Sequence, residues 1–118
     1  MDVNYGRSAP FTLGVEEELQ LVSVESFDLT SRYAEVFGEA ARHDEQIKEE
    51  LLQSTVEVAT EPCRTVGEAV AEAGELRRRA REYADGHGVR ILSSGTHPFS
   101  RYEHQDVTEA PRYVGLME

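Results

Sequence analysis

Three consecutive acidic residues, Glu16, Glu17 and Glu18, lie in a segment whose apolar residues alternate as they do in a β-strand. Because successive side chains of a strand point to opposite faces, Glu16 and Glu18 share one face, roughly 6.6–7 Å apart along the strand. Carboxylate oxygens are the ligands that Mg²⁺ and Mn²⁺ prefer, usually together with water and substrate phosphates. The spacing therefore indicates a surface that can hold one divalent cation or two neighbouring ones.

A second acidic strand is predicted over residues 51–60, whose sequence is LLQSTVEVAT. Its alternating pattern separates an apolar face from a polar face that carries Gln53 and Glu57. If this strand lies beside the first, Glu57 adds a carboxylate and Gln53 adds an amide to the surface that carries Glu16 and Glu18.

The same pattern is also typical of the wet face of an ordinary antiparallel sheet. Between Arg7 and Arg32, however, there are five acidic residues and no basic one, and like charges close together on a strand destabilise it. A bound metal ion would compensate that repulsion. Glu17 falls on the apolar side of the strand, where it can lie near a sheet edge or pair with an arginine such as Arg64 or Arg90.

The other candidate residues are isolated. His97 lies at the end of a predicted strand, where polar groups often reach a site, although a lone histidine is more often structural. Cys63 is the only cysteine and is more typical of a small buried residue than of a nucleophile. Lys48 is the only lysine, so binding of a phosphate would rely on arginine or metal. The chain has no Walker glycine–lysine loop and no nucleophile elbow.

The acidic strand is predicted over residues 11–24. A turn at 25–28 and a short helix that Ser31 can cap follow it, and residues 43–50 have the polar composition of a loop. These elements connect the two acidic strands.

A capping box formed by Thr65 and Glu68 marks the start of a long helix. Gly86 or Gly88 can end that helix in a left-handed conformation. Its apolar residues recur at spacings of three and four and predict one buried stripe: Val66, Ala69, Val70, Ala73, Leu76, Ala80, Tyr83 and Ala84. A third strand over residues 89–95 and a short helix over 111–117 are predicted after it.

The formal net charge is −11, from 23 acidic and 12 basic residues. A surface of that sign repels phosphodiester backbones and anionic lipids, so we expect no nucleic-acid partner and no membrane partner. The four arginines of residues 77–81 lie among glutamates, some of them at the spacings of helical ion pairs, such as Glu75 with Arg79. They are predicted to form a solvated helix face. No apolar run of about 18 residues and no signal-peptide pattern is present, so we expect a cytoplasmic protein.

With 118 residues, of which 39% are hydrophobic, the chain has the size of one ordinary globular domain. Three strands and one long helix that covers one face of a sheet predict an α+β fold. Residues 1–10 are predicted as a tail and residues 11–118 as the folded part. Because a three-stranded sheet with one good helix can bury few apolar residues, we expect that folded part to be incomplete.

Three motifs together resemble one known family. GVEEEL at 14–19, ELLQSTVE at 50–57 and SGTHPF at 94–99 occur in the order and at about the spacing of the type 2 glutamate–cysteine ligases, also called carboxylate–amine ligases. The likeness covers nearly all of the chain from Phe11 onward.

The resemblance implies a fold similar to that of glutamine synthetase, in which an antiparallel sheet forms a funnel. It also implies a reaction in which ATP phosphorylates the side chain of glutamate and the amine of cysteine attacks the acyl phosphate to form γ-glutamylcysteine. By the same motif match, Glu16, Glu18 and Glu57 are expected to bind Mg²⁺ or Mn²⁺. Thr96 and His97 are expected to line the substrate pocket.

Gln53 falls where related ligases carry a further acid, and the resemblance assigns it to the substrate site as well. Members of the family have several hundred residues, so residues 11–118 resemble the amino-terminal part of a catalytic domain, and we expect negligible ligase activity from the isolated chain. The substrates implied are ATP, glutamate and cysteine or another amine. A non-catalytic subunit or interaction module, which pairs with a second copy or a complementing chain, is the alternative.

Overall fold

The computed structural model describes residues 6–7 and 9–116. Within them lie the strands β1 (Glu16–Ser23), β2 (Ile47–Glu49), β3 (Thr55–Ala59) and β4 (Val89–Leu92). The helices are α1 (Tyr33–Phe37), α2 (Val66–Asp85) and α3 (Pro111–Val114), with 3₁₀ turns at Ala40–Arg42 and Tyr102–His104. The predicted tail of residues 1–10 and the end of the predicted helix over 111–117 lie in part outside the described residues.

The strands form a sheet in the order β2-β3-β1-β4, and every neighbouring pair is antiparallel. Together with α2 this sheet confirms the α+β prediction. The prediction of a loop over residues 43–50 is wrong, because β2 forms there. Ile47 is completely buried in β2 and lies opposite Val58 of β3. A single apolar residue between two polar neighbours, Gln46 and Lys48, is too short an alternation to predict a strand.

The hydrophobic core lies between the sheet and α2. Leu19 and Leu21 of β1 are buried there, as their alternation predicts, and they pack in one cluster with Val56, Val58 and Leu76. The residues of β1 and β3 between these apolar ones must then point to the opposite face of the sheet. That opposite face carries the acidic residues, so the core fixes the position of the candidate site.

The start of α2 has the predicted cap. The hydroxyl of Thr65 accepts a hydrogen bond from the backbone N–H of Glu68, while the Glu68 carboxylate accepts one from the N–H of Arg64. The buried stripe is narrower than predicted: Val66 and Val70 are 69% and 66% exposed. The positions in contact with the core are mainly alanines and Leu76, which let the helix approach the sheet closely: Ala69, Ala80 and Ala84.

The arginines of α2 have two different roles. Arg78 pairs with Glu75 and Glu82 on the helix itself, as a solvated face predicts. Arg79, in contrast, donates hydrogen bonds to the side chains of Asp44, at 2.6 Å, and Gln46, at 2.8 Å. The prediction of a purely solvated face is therefore wrong in part, since a long arginine side chain can reach segments that are distant in sequence.

A bidentate ion pair joins β1 to α2. The Nε and Nη2 atoms of Arg77 donate to the two carboxylate oxygens of Glu17 at 2.6 and 2.7 Å, and the Ser93 hydroxyl donates to the same carboxylate at 3.1 Å. Of the two possibilities left open for Glu17, the structure shows pairing with an arginine, but the partner is Arg77 and not Arg64 or Arg90. The Arg77 guanidinium holds the pKa of Glu17 below its ordinary value. This ion pair between Glu17 and Arg77, called here the clamp, neutralises the central acid of the three. It also connects β1 to α2.

No helix within residues 6–7 and 9–116 is both long enough and apolar enough to cross a membrane.

Arg77→Met is expected to lower the free energy of unfolding at pH 7 by about 1 kcal/mol, because it leaves the largely buried Glu17 carboxylate without its cation. Urea unfolding at a series of pH values measures the change. Arg81→Met, which removes only an exposed pair with Asp85 on the same helix, is the matched control and should cost less.

The loss of stability in Arg77→Met is expected to depend on pH. Because the folded-state pKa of Glu17 is lowered, the clamp contributes its full stability above the ordinary pKa of about 4.5 and loses it as the pH falls through the lowered value. The difference between the two proteins should therefore shrink in acid. A difference that stays constant from pH 7 to pH 3 would show that the clamp does not act through the charge of Glu17.

Candidate functional site

The face of the sheet opposite α2, called here the open face, is polar. Glu18 of β1 lies directly opposite Glu57 of β3, and Glu57 lies directly opposite Lys48 of β2. Glu16 and Gln20 flank Glu18 on the same face. The pairing of β1 with β3 thus brings the three predicted acidic ligands onto one surface of neighbouring strands.

The charges on the open face are only partly compensated. The Nζ atom of Lys48 lies 3.4 Å from Oε1 of Glu57. The Glu57 side chain is 18% exposed, whereas Glu16 and Glu18 are exposed, and neither of these two forms an ion pair within the described part of the chain. Carboxylates directly opposite each other on antiparallel strands repel. The face therefore carries an excess of negative charge next to one lysine.

The donor atoms on the open face fit a hard divalent cation in their chemistry, since they are carboxylates on adjacent strands. Among residues 6–7 and 9–116, however, no group of three or more His, Cys, Asp or Glu side chains is already arranged to hold a metal ion. Glu16 and Glu18 would have to rotate about their side-chain bonds to converge with Glu57. Their role as metal ligands stays a prediction.

A small polar cleft of about 190 Å³ lies beside Glu18 on the open face. Its other lining residues are Gln20, Thr55, Ser93, Ser94 and Gly95. The Oε1 atom of Gln20 is buried and has no hydrogen-bond partner among the atoms described. A buried acceptor without a partner costs stability, so a ligand or water in this cleft that donates a hydrogen bond would be favoured.

Gln53 does not lie on the open face beside Glu57, and that expectation is wrong. The chain turns before β3 begins, and the Gln53 amide is engaged elsewhere: its Oε1 accepts from the N–H of Ala34 at 3.1 Å, and its Nε2 donates to the hydroxyl of Thr108 at 2.8 Å. The backbone carbonyl of Gln53 accepts from the N–H of Tyr33. Gln53 thus connects the start of α1 with a later segment, and its substrate role stays a prediction.

The predicted cap of α1 by Ser31 is wrong. No side chain caps that helix, and the Ser31 hydroxyl accepts instead from the backbone N–H of Asp106. The side chain of Gln53 binds the Ala34 N–H that a cap would otherwise satisfy.

His97 is 8% exposed, and both of its ring nitrogens are engaged. Nε2 lies 2.9 Å from the carbonyl oxygen of Phe27, and Nδ1 accepts from the N–H of Ser100 at 3.0 Å. The ring therefore carries its proton on Nε2 and ties the loop after β1 to the loop after β4. This geometry favours the structural interpretation of His97.

Thr96 is exposed, and its carbonyl accepts a hydrogen bond from the Ser94 hydroxyl at 2.7 Å. Neither Thr96 nor His97 lines the cleft, which is formed by the residues just before them. Their expected contact with substrate stays a prediction.

Three residues of the open face and its cleft, Lys48, Ser93 and Ser94, are not among the predicted site residues. The sequence pattern places Lys48 in a loop, because the three residues of β2 are too few for their alternation to predict a strand. Ser93 and Ser94 follow β4 directly, and a polar pair at the end of a strand is a common position for site residues.

Comparison with known proteins gives one family match and three relatives that agree with it. The model of the family described as glutamate-cysteine ligase family 2 matches residues 12–118. Relatives from Roseiflexus castenholzii and Chloroflexus aurantiacus, both named "Putative glutamate--cysteine ligase 2", are 46% and 47% identical over 110 and 113 residues. A relative from Rubrobacter xylanophilus is 42% identical over 109 residues. Each alignment covers 92% of this chain and 29% of the relative, so the chain spans about three tenths of their length.

Glu18→Gln is expected to raise the free energy of unfolding by a few tenths to about 1 kcal/mol in a low-salt buffer that contains a chelator, because it removes the repulsion from Glu57. Thermal and urea unfolding measure it, and the gain should shrink as salt screens the charges. Glu25→Gln, in the turn after β1, changes the net charge equally and serves as control. Equal gains in both variants would contradict a local repulsion.

His97→Ala is expected to lower the free energy of unfolding by about 1–3 kcal/mol, because it leaves the Phe27 carbonyl and the Ser100 N–H without their partner. His104→Ala, at an exposed position in a 3₁₀ turn, should stay within about 0.5 kcal/mol of the unchanged protein. If both variants unfold at the same urea concentration as the unchanged protein, the structural role of His97 is wrong.

Proposed function

This chain belongs to glutamate–cysteine ligase family 2, and on that premise we propose that its open face forms part of the catalytic surface of an ATP-dependent carboxylate–amine ligase. The observation that carries the proposal is the direct opposition of the Glu18 and Glu57 carboxylates on neighbouring strands. A sheet that served only as a scaffold would gain stability by losing that pair. A ligase would retain the facing carboxylates if the two of them bind one cation.

The proposed reaction joins a carboxylate to an amine. The γ-carboxylate of glutamate attacks the γ-phosphorus of ATP, ADP leaves, and an acyl phosphate forms. The amine of cysteine, or of another acceptor, then attacks the acyl carbon, loses a proton, and expels phosphate to leave a γ-glutamyl amide. Mg²⁺ or Mn²⁺, when bound, offsets the negative charge on the transferred phosphoryl group.

Glu16, Glu18 and Glu57 are the residues proposed to hold the cation. The exposed Glu16 and Glu18 have room to rotate toward it, while Glu57 is held more firmly between its two neighbouring strands. Thr96, which follows the cleft residue Gly95 in the chain, is proposed to contact substrate. Gln53 and His97 are proposed to act at a distance, by holding the loops around the face in position.

The fold proposed for the complete enzyme is similar to that of glutamine synthetase, with this sheet as one part of a funnel. Two features support it: the sheet is antiparallel, and its acidic face lies opposite the helix that covers the core. The chain corresponds to 29% of its relatives' length, so the remaining substrate contacts are proposed to lie on a complementing part of the enzyme. The isolated chain is proposed to have negligible activity for the same reason.

A second candidate function is a non-catalytic interaction module. The exposure of Val66 and Val70 on α2, and of Phe99 after β4, favours it, because apolar side chains on a surface are often covered by a partner. A partner that co-purifies at fixed stoichiometry, without ligase turnover, would distinguish this function from catalysis.

A chimera tests the catalytic proposal. In a relative whose ligase turnover has first been measured, residues 12–118 of this chain replace the matching segment, and the release of ADP that depends on glutamate, cysteine and Mg²⁺ is followed. We expect turnover within about tenfold of the parent. Glu57→Gln in the chimera is expected to lower kcat at least about 100-fold, since it removes a proposed cation ligand.

Glu61→Gln is the control, because Glu61 is an exposed acid beyond the end of β3, and its backbone N–H donates to the Glu72 carboxylate of α2. It should leave turnover unchanged. A folded chimera without turnover, or a Glu57→Gln chimera as active as its parent, would contradict the proposal.

A further inference from the structure

The strand β4 forms one edge of the sheet, because the strand order is β2-β3-β1-β4. In the neighbouring β1, both backbone groups of Leu21 point away from β4. Its N–H donates to the carbonyl of Ser54 at 2.8 Å, and its carbonyl accepts from the N–H of Thr30 at 2.9 Å. Backbone groups alternate in direction along a strand, so those of Gln20 and Val22 point toward β4.

The outer edge of β4 is unpaired. The register pairs Leu92 and Arg90 with the two residues of β1 that point toward β4. The N–H and C=O groups of Val89 and Ile91 must then point outward, away from the sheet. None of these four groups has a partner in the described part of the chain. The edge therefore offers two donors and two acceptors to a further strand.

The opposite edge, formed by β2, is largely closed. The N–H of Ile47 donates to the carbonyl of Asp44 at 3.1 Å. The carbonyl of Glu49 accepts from the side chain of Arg112 at 3.1 Å and from that of Tyr113 at 3.4 Å. Proteins often close an exposed edge in this way, because its free backbone groups can pair with another segment. This fold thus covers one edge and leaves the other open.

Two grooves, of about 380 and 420 Å³, lie along the open edge. Both are lined by Ile91 and by Arg81 and Asp85 of α2, which pair with each other. Arg90, which lines the smaller groove, lies over the ring of Phe27 and forms no ion pair with the residues that the structure describes. A strand along this edge would therefore meet an apolar side chain on the α2 side and an unpaired cation on the open face.

We propose that the edge of β4 receives a further antiparallel strand from the complementing part of the ligase, with an acidic residue opposite Arg90 and an apolar residue on either side of it. The inference rests on the proposed function. The two apolar residues would pair with Val89 and Ile91 through their backbones and extend the apolar side of the sheet. The relatives contain such a part, because the chain matches 29% of their length.

A second copy of this chain fits the edge less well. Antiparallel pairing that uses all four outward groups would place Val89 opposite Ile91 of the copy, and Arg90 opposite its own equivalent. Like charges directly opposite each other on antiparallel strands repel. The edge therefore favours a different segment, with a carboxylate at that position.

Amide hydrogen exchange in the chimera, compared with the 118-residue chain, tests this inference. The amide of Arg90 is the internal control, because it is bonded to β1 in both proteins. In the 118-residue chain the amide of Ile91 is expected to exchange at least about 100-fold faster than that of Arg90. In the chimera the two rates should lie within about tenfold of each other, because the added strand protects Ile91.

Co-expression gives a second measurement that does not require the chimera to fold. The 118-residue chain is produced together with the rest of the Roseiflexus castenholzii relative, and the amount that co-purifies is measured. Ile91→Pro removes an outward N–H and leaves the ladder with β1 intact, so it is expected to lower that amount at least about tenfold. Glu49→Pro, the same replacement at the closed edge, is the control and should stay within about twofold.

The charge of Arg90 is tested in the same assay. Arg90→Glu is expected to lower the amount that co-purifies about fivefold, because it places like charges opposite each other, whereas Arg90→Lys should stay within about twofold. Circular dichroism and urea unfolding identify any variant that fails to fold.

The results separate this inference from the ligase proposal. An active chimera in which Ile91 still exchanges much faster than Arg90 would overturn the inference alone. Absence of co-purification, or equal co-purification of Ile91→Pro and the unchanged chain, would also overturn it. A dimer of the 118-residue chain that Ile91→Pro abolishes would assign the edge to a second copy instead. A chimera with a protected edge and no turnover would support the inference and contradict the ligase proposal.

Discussion

The antiparallel pairing of β1 with β3 determines which acidic side chains can act together. In the observed register Glu18 lies opposite Glu57, while Leu19 lies opposite Val56 in the core. A shift of one residue would move the whole apolar set to solvent and the acids into the core. Burial of the apolar residues therefore holds the acidic pair in place, even though the two carboxylates repel.

The strand β1 carries a cluster of like charges that is only partly compensated. Its three consecutive acids would destabilise a strand that left all of them uncompensated. Glu17 is neutralised by its ion pair with Arg77 of α2, whereas Glu16 and Glu18 stay uncompensated on the open face. Lys48 pairs with Glu57 of β3, the residue that lies opposite Glu18. The uncompensated negative charge of β1 therefore lies on the open face of the sheet.

The loops around the open face are fixed by polar side chains rather than by apolar packing. The imidazole of His97 joins the loop after β1 to the loop after β4, and the amide of Gln53 joins α1 to the segment around Thr108. Two residues that the family resemblance associates with substrate thus form the hydrogen bonds that hold these loops. The relation of this chain to the ligase family is carried by its motifs, but each motif contains residues with structural roles.

Period-two alternation in the sequence by itself determined the two faces of β1 and β3, and a local cap determined where α2 begins. These features depend on neighbours within a few residues, so the sequence displays them directly. Only the tertiary structure decided that β2 exists, that Glu17 pairs with Arg77, and that Gln53 turns away from Glu57. Those outcomes depend on which distant segments meet when the core closes, and no local period in the chain encodes that choice.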